Sequence, residues 1–200
     1  MSFCFIHPDL GRYEFSHLDE DSFLDSFQTG PDADSLGKWL REKARVVHRE
    51  DLARVWLMCP GGMTEPVGYF TLANHELICS SLGLRSKNLS YESTGGHKTI
   101  VGSYERHPAQ LLGKFALEES VRGRAGMSSI LLAGVFSAYL ESAKYSASRY
   151  LVLHARNTKL VQYYKSLDFD VAPQDGVNGL RTCYMSTQTI KEAYSRLPQF

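Results

Sequence analysis

The sequence predicts an α/β (α+β) fold with one mixed sheet flanked by helices, and three observations lead to it. The chain has 200 residues, 43% hydrophobic and 22% charged, which is enough to bury one core and short for two. Segments with the alternating hydrophobicity of strands are interspersed with segments of helical periodicity. A strand, a helix and a second strand follow one another between about 111 and 155, which is the order of a right-handed crossover within one sheet.

Each element is predicted from its own pattern. Leu36, Trp39 and Leu40 share one face of a helix near 35–48, with basic side chains on the opposite face. Cys59 to Gly62 has turn chemistry between two β-prone runs and predicts a hairpin. In chain order we expect a strand at 12–15, helices at 19–27 and 35–48, strands at 53–58, 66–78 and 111–117, a helix at 128–143, a strand at 150–155, a helix at 158–167, and strands at 169–172 and 180–185.

The domain organisation is expected to be simple. Nothing repeats internally, and we expect one domain over residues 1–200 with its core at about 12–186 and a C-terminal tail at 187–200. Residues 85–108 are rich in Ser, Lys and Gly and show no sustained period, which predicts a mobile surface loop.

Composition limits the function classes. There are 22 basic and 22 acidic residues, so no global field attracts nucleic acid or an acidic membrane, and such binding requires a local patch. The cysteines, Cys4, Cys59, Cys79 and Cys183, lack C-x-x-C spacing, which predicts free thiols and no metal site. The start has no basic region before its apolar run, and no segment reaches the ~18 apolar residues of a membrane span, so we expect a cytoplasmic protein.

The segment with the clearest chemistry is 112–126, LGKFALEESVRGRAG. A strand that enters a helix through a glycine-bearing turn directs unpaired backbone N–H groups and the positive end of the helix dipole at one point, which suits a pyrophosphate. Arg122 and Arg124 would add positive charge. The same pattern also fits an ordinary strand, turn and helix with arginines on its surface.

Three motif matches, spread over several segments, carry a family resemblance. Residues 117–124, followed by Ala125 and Met127, resemble the GNAT motif (Gln/Arg)-x-x-Gly-x-(Gly/Ala), with Arg122 at the leading position. Residues 151–157 and 160–169 (LVQYYKSLDF) resemble the family's signature of a strand, then Ala or Asn, then the helix A-x-x-F-Y-x-x-x-G-F, with Tyr164 on the family's tyrosine. Residues 30–44, 67–72 and 107–117 are similar to the first helix, hairpin and proline-initiated strand of the GNAT toxins of bacterial toxin-antitoxin pairs.

The resemblance implies an acetyl-CoA-dependent N-acetyltransferase with a mostly antiparallel sheet and a splayed central pair of parallel strands. It implies that the backbone N–H of Leu117 stabilises the developing oxyanion and that Tyr164 protonates the leaving thiolate. No metal is implied. The residues implied to bind acetyl-CoA are Phe115, Ala116, Leu117, Arg122, Gly123, Arg124, Ala125, Gly126, Met127, Ser128, Asn157 and Tyr164.

In the toxins the acceptor is the α-amine of aminoacyl-tRNA, and the implied partners are that RNA, a ribbon-helix-helix antitoxin and a second copy of the chain in a homodimer. The residues that could bind RNA phosphates are Lys38, Arg41, Arg45, Arg49 and Arg85. Two alternatives stay open: a GNAT enzyme that acetylates a small-molecule or protein amine, and a non-catalytic GNAT-fold interaction module, which the departures at Ala125, Met127 and Asp168 would favour.

Overall fold

The computed structural model describes residues 2–31, 34–78, 88–92, 98–103, 106–175 and 179–196. The helices in these ranges are α1 (Asp34–Arg49), α2 (Met127–Tyr145), α3 (Thr158–Lys165) and α4 (Thr187–Ser195). The strands there are β1 (Ser2–His7), β2 (Gly11–His17), β3 (Arg54–Pro60), β4 (Gly68–Ile78), β5 (Asn88–Glu92), β6 (Lys98–Ser103), β7 (Arg106–Leu117), β8 (Tyr150–Ala155), β9 (Asp170–Asp175) and β10 (Arg181–Ser186).

Eight of these strands form a mixed sheet in the order β1-β2-β3-β4-β7-β8-β10-β9, and β5 pairs with β6. The chain divides into two compact units, and the division falls within β4 and β7. The first unit contains Met1–Ala73, Leu111–Ser146 and Gln188–Phe200, and the second contains Asn74–Gln110 and Ala147–Thr187.

In the first unit the strands are antiparallel and α1 and α2 supply apolar faces that cover them. β1 to β4 form an antiparallel meander. The Glu118 N–H donates to the Val67 carbonyl, and the Lys114 N–H donates to Thr71 Oγ1, so β7 runs antiparallel to β4. α2 carries a glycine at its closest approach to the sheet, because a Cβ at Gly134 would lie 2.2 Å from a ring atom of Phe15.

In the second unit the start of β7 lies beside β8. The Arg149 N–H donates to the Pro108 carbonyl at 2.8 Å, and these two strands are the parallel pair of the sheet. β8 pairs antiparallel with β10, and β10 pairs antiparallel with β9. The mixed, mostly antiparallel sheet is therefore confirmed, with a crossover through α2 between β7 and β8.

Most elements lie where the sequence predicts them, and four segments differ. The helix expected at 19–27 is wrong, because these residues form turns in which the Asp19 N–H donates to Ser22 Oγ. β1 lies before the expected start of the core and pairs with β2 in a tight hairpin. Within the predicted loop at 85–108 the described residues form β5 and β6, and β7 begins at Arg106. The expected tail contains α4, which buries Ile190 completely.

No helix in the described part of the chain is long and apolar enough to cross a bilayer. The three described cysteines, Cys4, Cys59 and Cys183, are free thiols, and Cys79 lies outside the described residues. In the same residues, His, Cys, Asp and Glu side chains form no group of three that could hold a metal.

Candidate active site

The turn between β7 and α2 has the backbone geometry of an anion cradle. Gly123 and Gly126 have positive φ angles of 82° and 87°, and Gly126 is the N-cap of α2. Neither a side-chain cap nor an acidic residue stands at the start of this 19-residue helix. The positive end of its dipole is therefore left for a ligand to compensate.

Several backbone donors of this turn have no protein acceptor. Within the described residues, no atom accepts a hydrogen bond from the N–H groups of Gly123, Ala125, Gly126 or Ser128. The N–H groups of Arg122, Arg124 and Met127 are used inside the turn, on the carbonyls of Glu118, Val121 and Arg124. Four of the residues predicted to hold the coenzyme thus offer unpaired donors, as a diphosphate site requires.

Two of the departures from the family motif, Ala125 and Met127, lie in this turn and do not disturb its left-handed backbone positions. Glycines, and not Ala125, occupy both positions with positive φ. Met127 is fully buried, and its N–H donates to the Arg124 carbonyl at 3.3 Å. Met127 therefore contributes to the core, and neither its side chain nor its N–H is left for a coenzyme.

The turn is fixed by the segment before α1. The Glu119 N–H donates to the Gln28 carbonyl at 2.8 Å, and Arg122 Nη1 donates to the Thr29 carbonyl at 2.8 Å. Gly30 has a φ of 73°, and a Cβ there would lie 2.9 Å from Glu119 Oε1. Arg122 is predicted to bind phosphate, and one of its N–H donors helps to position the turn. The exposed Arg124 side chain makes no hydrogen bond or ion pair with the described residues.

Sequence reasoning missed a second contact to the cradle. A Cβ on Gly126 would meet Leu10 Cδ1 at 3.0 Å and His7 Nε2 at 3.5 Å, so the tip of the β1–β2 hairpin packs beside the N-cap. No local signal in 7–10 announces this contact, because it depends on how distant segments pack. The contact of the cradle turn with Gly30 has a local signal, because a glycine before a proline commonly marks a constrained turn.

The end of β7 presents backbone N–H groups that β4 does not use. The Glu118 N–H points to β4, and strand N–H groups alternate in direction, so the N–H groups of Leu117 and Phe115 point away from β4. Ala116 is buried in the core on the α1 side with Tyr69 and Leu40. The predicted oxyanion donor, the Leu117 N–H, is therefore not used by β4.

Tyr164 lies in the second unit, in α3, with its ring packed edge-on against Phe169 and Tyr163. The residue is 8% exposed, and no hydrogen bond of its hydroxyl to the described residues is present. Since no described side-chain oxygen is both fully buried and unpartnered, the hydroxyl reaches the surface. Burial raises the pKa of this phenol, so it is protonated at neutral pH and can donate a hydrogen bond.

Asn157, the remaining predicted coenzyme residue, is the N-cap of α3. Its Oδ1 accepts the Leu160 N–H at 2.9 Å, which leaves its amide NH₂ as a donor for a ligand. Asn157 also lines a cavity of about 440 Å³ in the second unit. The other residues that line the cavity are Ala155, Arg156, Thr158, Val161, Lys165, Val171, Gly179 and Arg181.

Two side chains that could act as a base have defined surroundings. Glu118 accepts hydrogen bonds from the N–H and hydroxyl of Ser120, so its carboxylate stabilises the turn. His154 lies beside Thr182, with Nδ1 and Oγ1 3.3 Å apart, and its ring centroid is 6.0 Å from that of His75. Burial, and then the charge of His75, lower the pKa of His154, so this imidazole is neutral at pH 7 and can accept a proton.

The basic face predicted on α1 is mostly engaged within the protein. Arg41 Nη1 donates to the Phe27 carbonyl, and Arg45 Nη2 donates to the Ser22 carbonyl at 2.5 Å. Lys38 and Arg49 are exposed and pair with neighbouring glutamates. Arg85 lies outside the described residues. The structure thus assigns Arg41 and Arg45 a role in holding the 22–27 segment, and RNA binding by this face stays a prediction.

No model of a protein family matches the chain. A curated relative, a tRNA-acetylating toxin of Mycobacterium tuberculosis, is 24% identical over 155 residues, which cover 75% of this chain and 80% of the relative.

Solved structures resemble nearly the whole chain. AtaT complexed with acetyl-methionyl-tRNAfMet superposes with a TM-score of 0.72 at 23% identity and covers 91% of this chain and 99% of its own. AtaTR bound with AcCoA gives 0.68 at 23% identity, with 91% and 98% covered. The KacTA–DNA complex gives 0.66 at 20% identity, with 92% and 98% covered. The chain therefore has the GNAT fold, in the form found in the AtaT and KacT toxins.

Proposed function

We propose that this chain is an acetyl-CoA-dependent N-acetyltransferase that blocks translation by acetylating the α-amine of aminoacyl-tRNA. The observation that carries the proposal is the cradle of Gly123, Ala125, Gly126 and Ser128, whose four unpaired N–H groups stand at the uncompensated positive end of α2. A tRNA-acetylating toxin among its relatives, and AtaT structures with acetyl-CoA and acetylated methionyl-tRNA, support the acceptor class.

The residues fit such a reaction. Acetyl-CoA supplies an activated acetyl group as a thioester. The cradle N–H groups and Arg124 bind the diphosphate, and the outward backbone groups of Phe115 and Leu117 bind the extended arm. The Leu117 N–H donates to the carbonyl oxygen on which charge develops, and the Tyr164 hydroxyl donates to the departing sulfur.

The chemistry of the acceptor also favours an α-amine. An α-amine has an ordinary pKa of about 7.7–8.0, against about 10.4 for a lysine side chain, so a useful fraction is already neutral at pH 7. Such a nucleophile needs only a weak base. A lysine acceptor would require a much stronger base.

The test is acetyl transfer from radiolabelled acetyl-CoA to a panel of aminoacyl-tRNAs, with free amino acids and a lysine peptide as competing acceptors. We expect label on aminoacyl-tRNA and loss of translation in a cell-free extract. Tyr164→Phe should lower kcat about 100-fold or more, because a positioned acid contributes about 10²–10⁴, and should leave KM for acetyl-CoA unchanged. Tyr163→Phe is the matched control and should keep full activity.

Label that appears only on the peptide or the free amino acid would contradict the proposed acceptor. Full activity of Tyr164→Phe would contradict the assignment of the acid. We also propose that the protein acts in the cytoplasm, as a homodimer, and is neutralised by a small DNA-binding antitoxin of the ribbon-helix-helix class. The solved complex of the AtaT toxin with the C-terminus of the antitoxin AtaR supports an antitoxin partner. Expression of the chain alone should arrest growth, and co-expression with an antitoxin of this class that binds it should restore growth.

A further inference from the structure

The imidazole of His7 lies beside the coenzyme cradle and in the same compact unit. A Cβ added to Gly126, the N-cap of α2, would lie 3.5 Å from His7 Nε2 and 3.9 Å from His7 Cε1. The Gly126 N–H has no acceptor among the described residues. The edge of the imidazole that contains Nε2 therefore faces an unpaired donor of the cradle.

One hydrogen bond sets the tautomer of this ring. The Asp9 N–H donates to His7 Nδ1 at 3.2 Å. Because a backbone amide can only donate, Nδ1 carries no proton in this arrangement, and the ring proton is on Nε2. Nε2–H is thus a donor, and no atom of the described residues accepts from it.

The β1–β2 hairpin fixes the position of the ring. Residues 8–10 join the two strands, and the pair that closes the loop is His7 with Gly11. Gly11 has a φ of 85°, as is common in hairpins with a three-residue loop. Pro8 restricts the backbone at the start of the loop. His7 therefore loses little conformational freedom when it binds a ligand.

Two contacts hold this hairpin against α2. A Cβ at Gly134 would lie 2.2 Å from a ring atom of Phe15 in β2, and a Cβ at Gly126 would lie 3.0 Å from Leu10 Cδ1. The two glycines are eight residues apart, which is about 12 Å along the helix. The hairpin thus follows the first half of α2, and its tip reaches the N-terminus of the helix.

The distances allow His7 and the cradle to bind one anion. The Gly126 nitrogen lies about 2.5 Å from the ideal Cβ position, so it is within about 6 Å of His7 Nε2. Two hydrogen bonds of about 2.9 Å through one bridging oxygen nearly span this distance, and two oxygens of one phosphate span more. A phosphate that accepts from Gly126 can therefore also accept from His7.

The electrostatics of the contact also require an anion. Nε2–H is a donor, and it stands at the positive end of the α2 dipole, where neither a side-chain cap nor an acidic residue is present. Two partial positive charges that face each other repel, unless a negative group lies between them. A role in packing alone would leave this repulsion in place, and Leu10 already supplies the apolar contact to Gly126.

We propose that His7 Nε2–H donates a hydrogen bond to the diphosphate of acetyl-CoA, as a side-chain member of the coenzyme cradle. The inference rests on the proposed function, in which acetyl-CoA is the acetyl donor. The tip of the β1–β2 hairpin then closes one side of the diphosphate site, opposite no other described side chain that could replace its donor.

The test is calorimetric titration of the purified protein with acetyl-CoA and with its 3′-dephospho form, in the absence of an acceptor. His7→Phe removes the donor and keeps a ring beside Gly126, and His7→Ala removes both. We expect each to weaken binding of both ligands about tenfold or more, because a hydrogen bond to a charged acceptor is lost. His7→Gln, whose amide N–H can replace Nε2–H, should keep most of the affinity.

Ile6→Ala is the matched control. Ile6 is the exposed neighbour of His7 in β1, and its side chain lies on the opposite face of the strand. This variant should bind both ligands as the wild type does. Thermal melts without ligand show whether each variant retains the fold, so that a loss of affinity is separated from a loss of stability.

Wild-type affinity in His7→Phe and His7→Ala, an equal loss in Ile6→Ala, or a His7→Gln as weak as His7→Ala would overturn the inference. So would a loss confined to acetyl-CoA, which would assign His7 to the 3′-phosphate of the ribose. If the His7 variants bind weakly as expected and the wild type acetylates no aminoacyl-tRNA, the proposed acceptor is wrong and this inference stands. If the wild type acetylates aminoacyl-tRNA and the His7 variants bind acetyl-CoA normally, the reverse holds.

Discussion

Gly37, in the first turn of α1, lies where a side chain would crowd the segment that precedes the helix. A Cβ there would lie 3.1 Å from Thr29 Oγ1 and 3.2 Å from Arg41 Nη1. The Gly37 N–H, in the first turn of the helix, donates to the same Thr29 hydroxyl. The absent side chain thus lets the segment before α1 approach and satisfy a donor that the helix leaves unpaired.

Gly126 is the residue on which the cradle depends. Its φ of 87° is rarely adopted by residues with a side chain, and a Cβ would also press on Leu10. We expect Gly126→Ala to lower the free energy of unfolding by about 1–3 kcal/mol and to weaken acetyl-CoA binding about tenfold or more, because the unpaired N–H groups would turn away from one another. Calorimetric titration and chemical denaturation measure the two effects.

The matched control for this change is Gly62→Ala. Gly62 has a similar φ of 79°, in an exposed turn with no atom within 4 Å of the added Cβ. It should lose stability through backbone strain and keep the affinity for acetyl-CoA. Equal affinities in the two alanine variants would show that the turn at Gly126 does not bind the coenzyme.

At the scale of elements, α1 holds the irregular segment that precedes it. Arg41 and Arg45 donate to the carbonyls of Phe27 and Ser22, and buried Leu24 and Phe27 pack in the same core as Leu40. That segment in turn accepts from Glu119 and Arg122 of the cradle turn. The basic face of α1 thereby supports the coenzyme cradle indirectly, through a stretch without regular secondary structure.

Removal of Arg41 should reveal this role. We expect Arg41→Gln to lower the free energy of unfolding by about 1–3 kcal/mol, because a charged donor to a partly buried carbonyl is lost, and to speed proteolysis within residues 19–31. Denaturant melts and limited digestion followed by mass spectrometry would measure both. Lys38→Gln, which removes only an exposed pair with Glu42, should change stability by less than about 0.5 kcal/mol. Similar behaviour of the two variants would refute the holding role.

The same segment shows where sequence reasoning reaches its limit. Phe23, Leu24 and Phe27 have helical spacing, and yet the segment forms turns. The carbonyls of Ser22 and Phe27 accept hydrogen bonds from arginines that lie 23 and 14 positions later in the chain, and not from a local helix. β8 and the hairpin of β3 and β4 could be predicted, because a short buried run bounded by turn residues identifies a strand from the local sequence alone. β1 was missed because it is an edge strand that depends on its pairing with β2.

In the candidate site, too, some features could be predicted from the local sequence and others could not. The glycine turn and Tyr164 could be found from sequence, because each belongs to a contiguous motif. The support of Arg122 by Thr29 and the contact of Gly126 with the β1–β2 hairpin join residues that are distant in sequence. No periodicity records such contacts, so they emerge only when the elements pack.

At the scale of the whole molecule, the question is whether the GNAT fold here retains its ligand, since a binding-incompetent relative would have the same sheet and helices. A ligand that binds only the folded protein stabilises it by about 2.7 kcal/mol at 100 times its Kd. For a chain of this size each kcal/mol raises Tm by about 2–4 °C, so saturating acetyl-CoA should raise Tm by roughly 5–11 °C. Gly126→Ala should lose most of this rise at the same concentration, and Gly62→Ala should retain it. A wild-type Tm that does not respond to acetyl-CoA would establish a non-catalytic interaction module, because every step assigned to Leu117 and Tyr164 requires the thioester to be bound first.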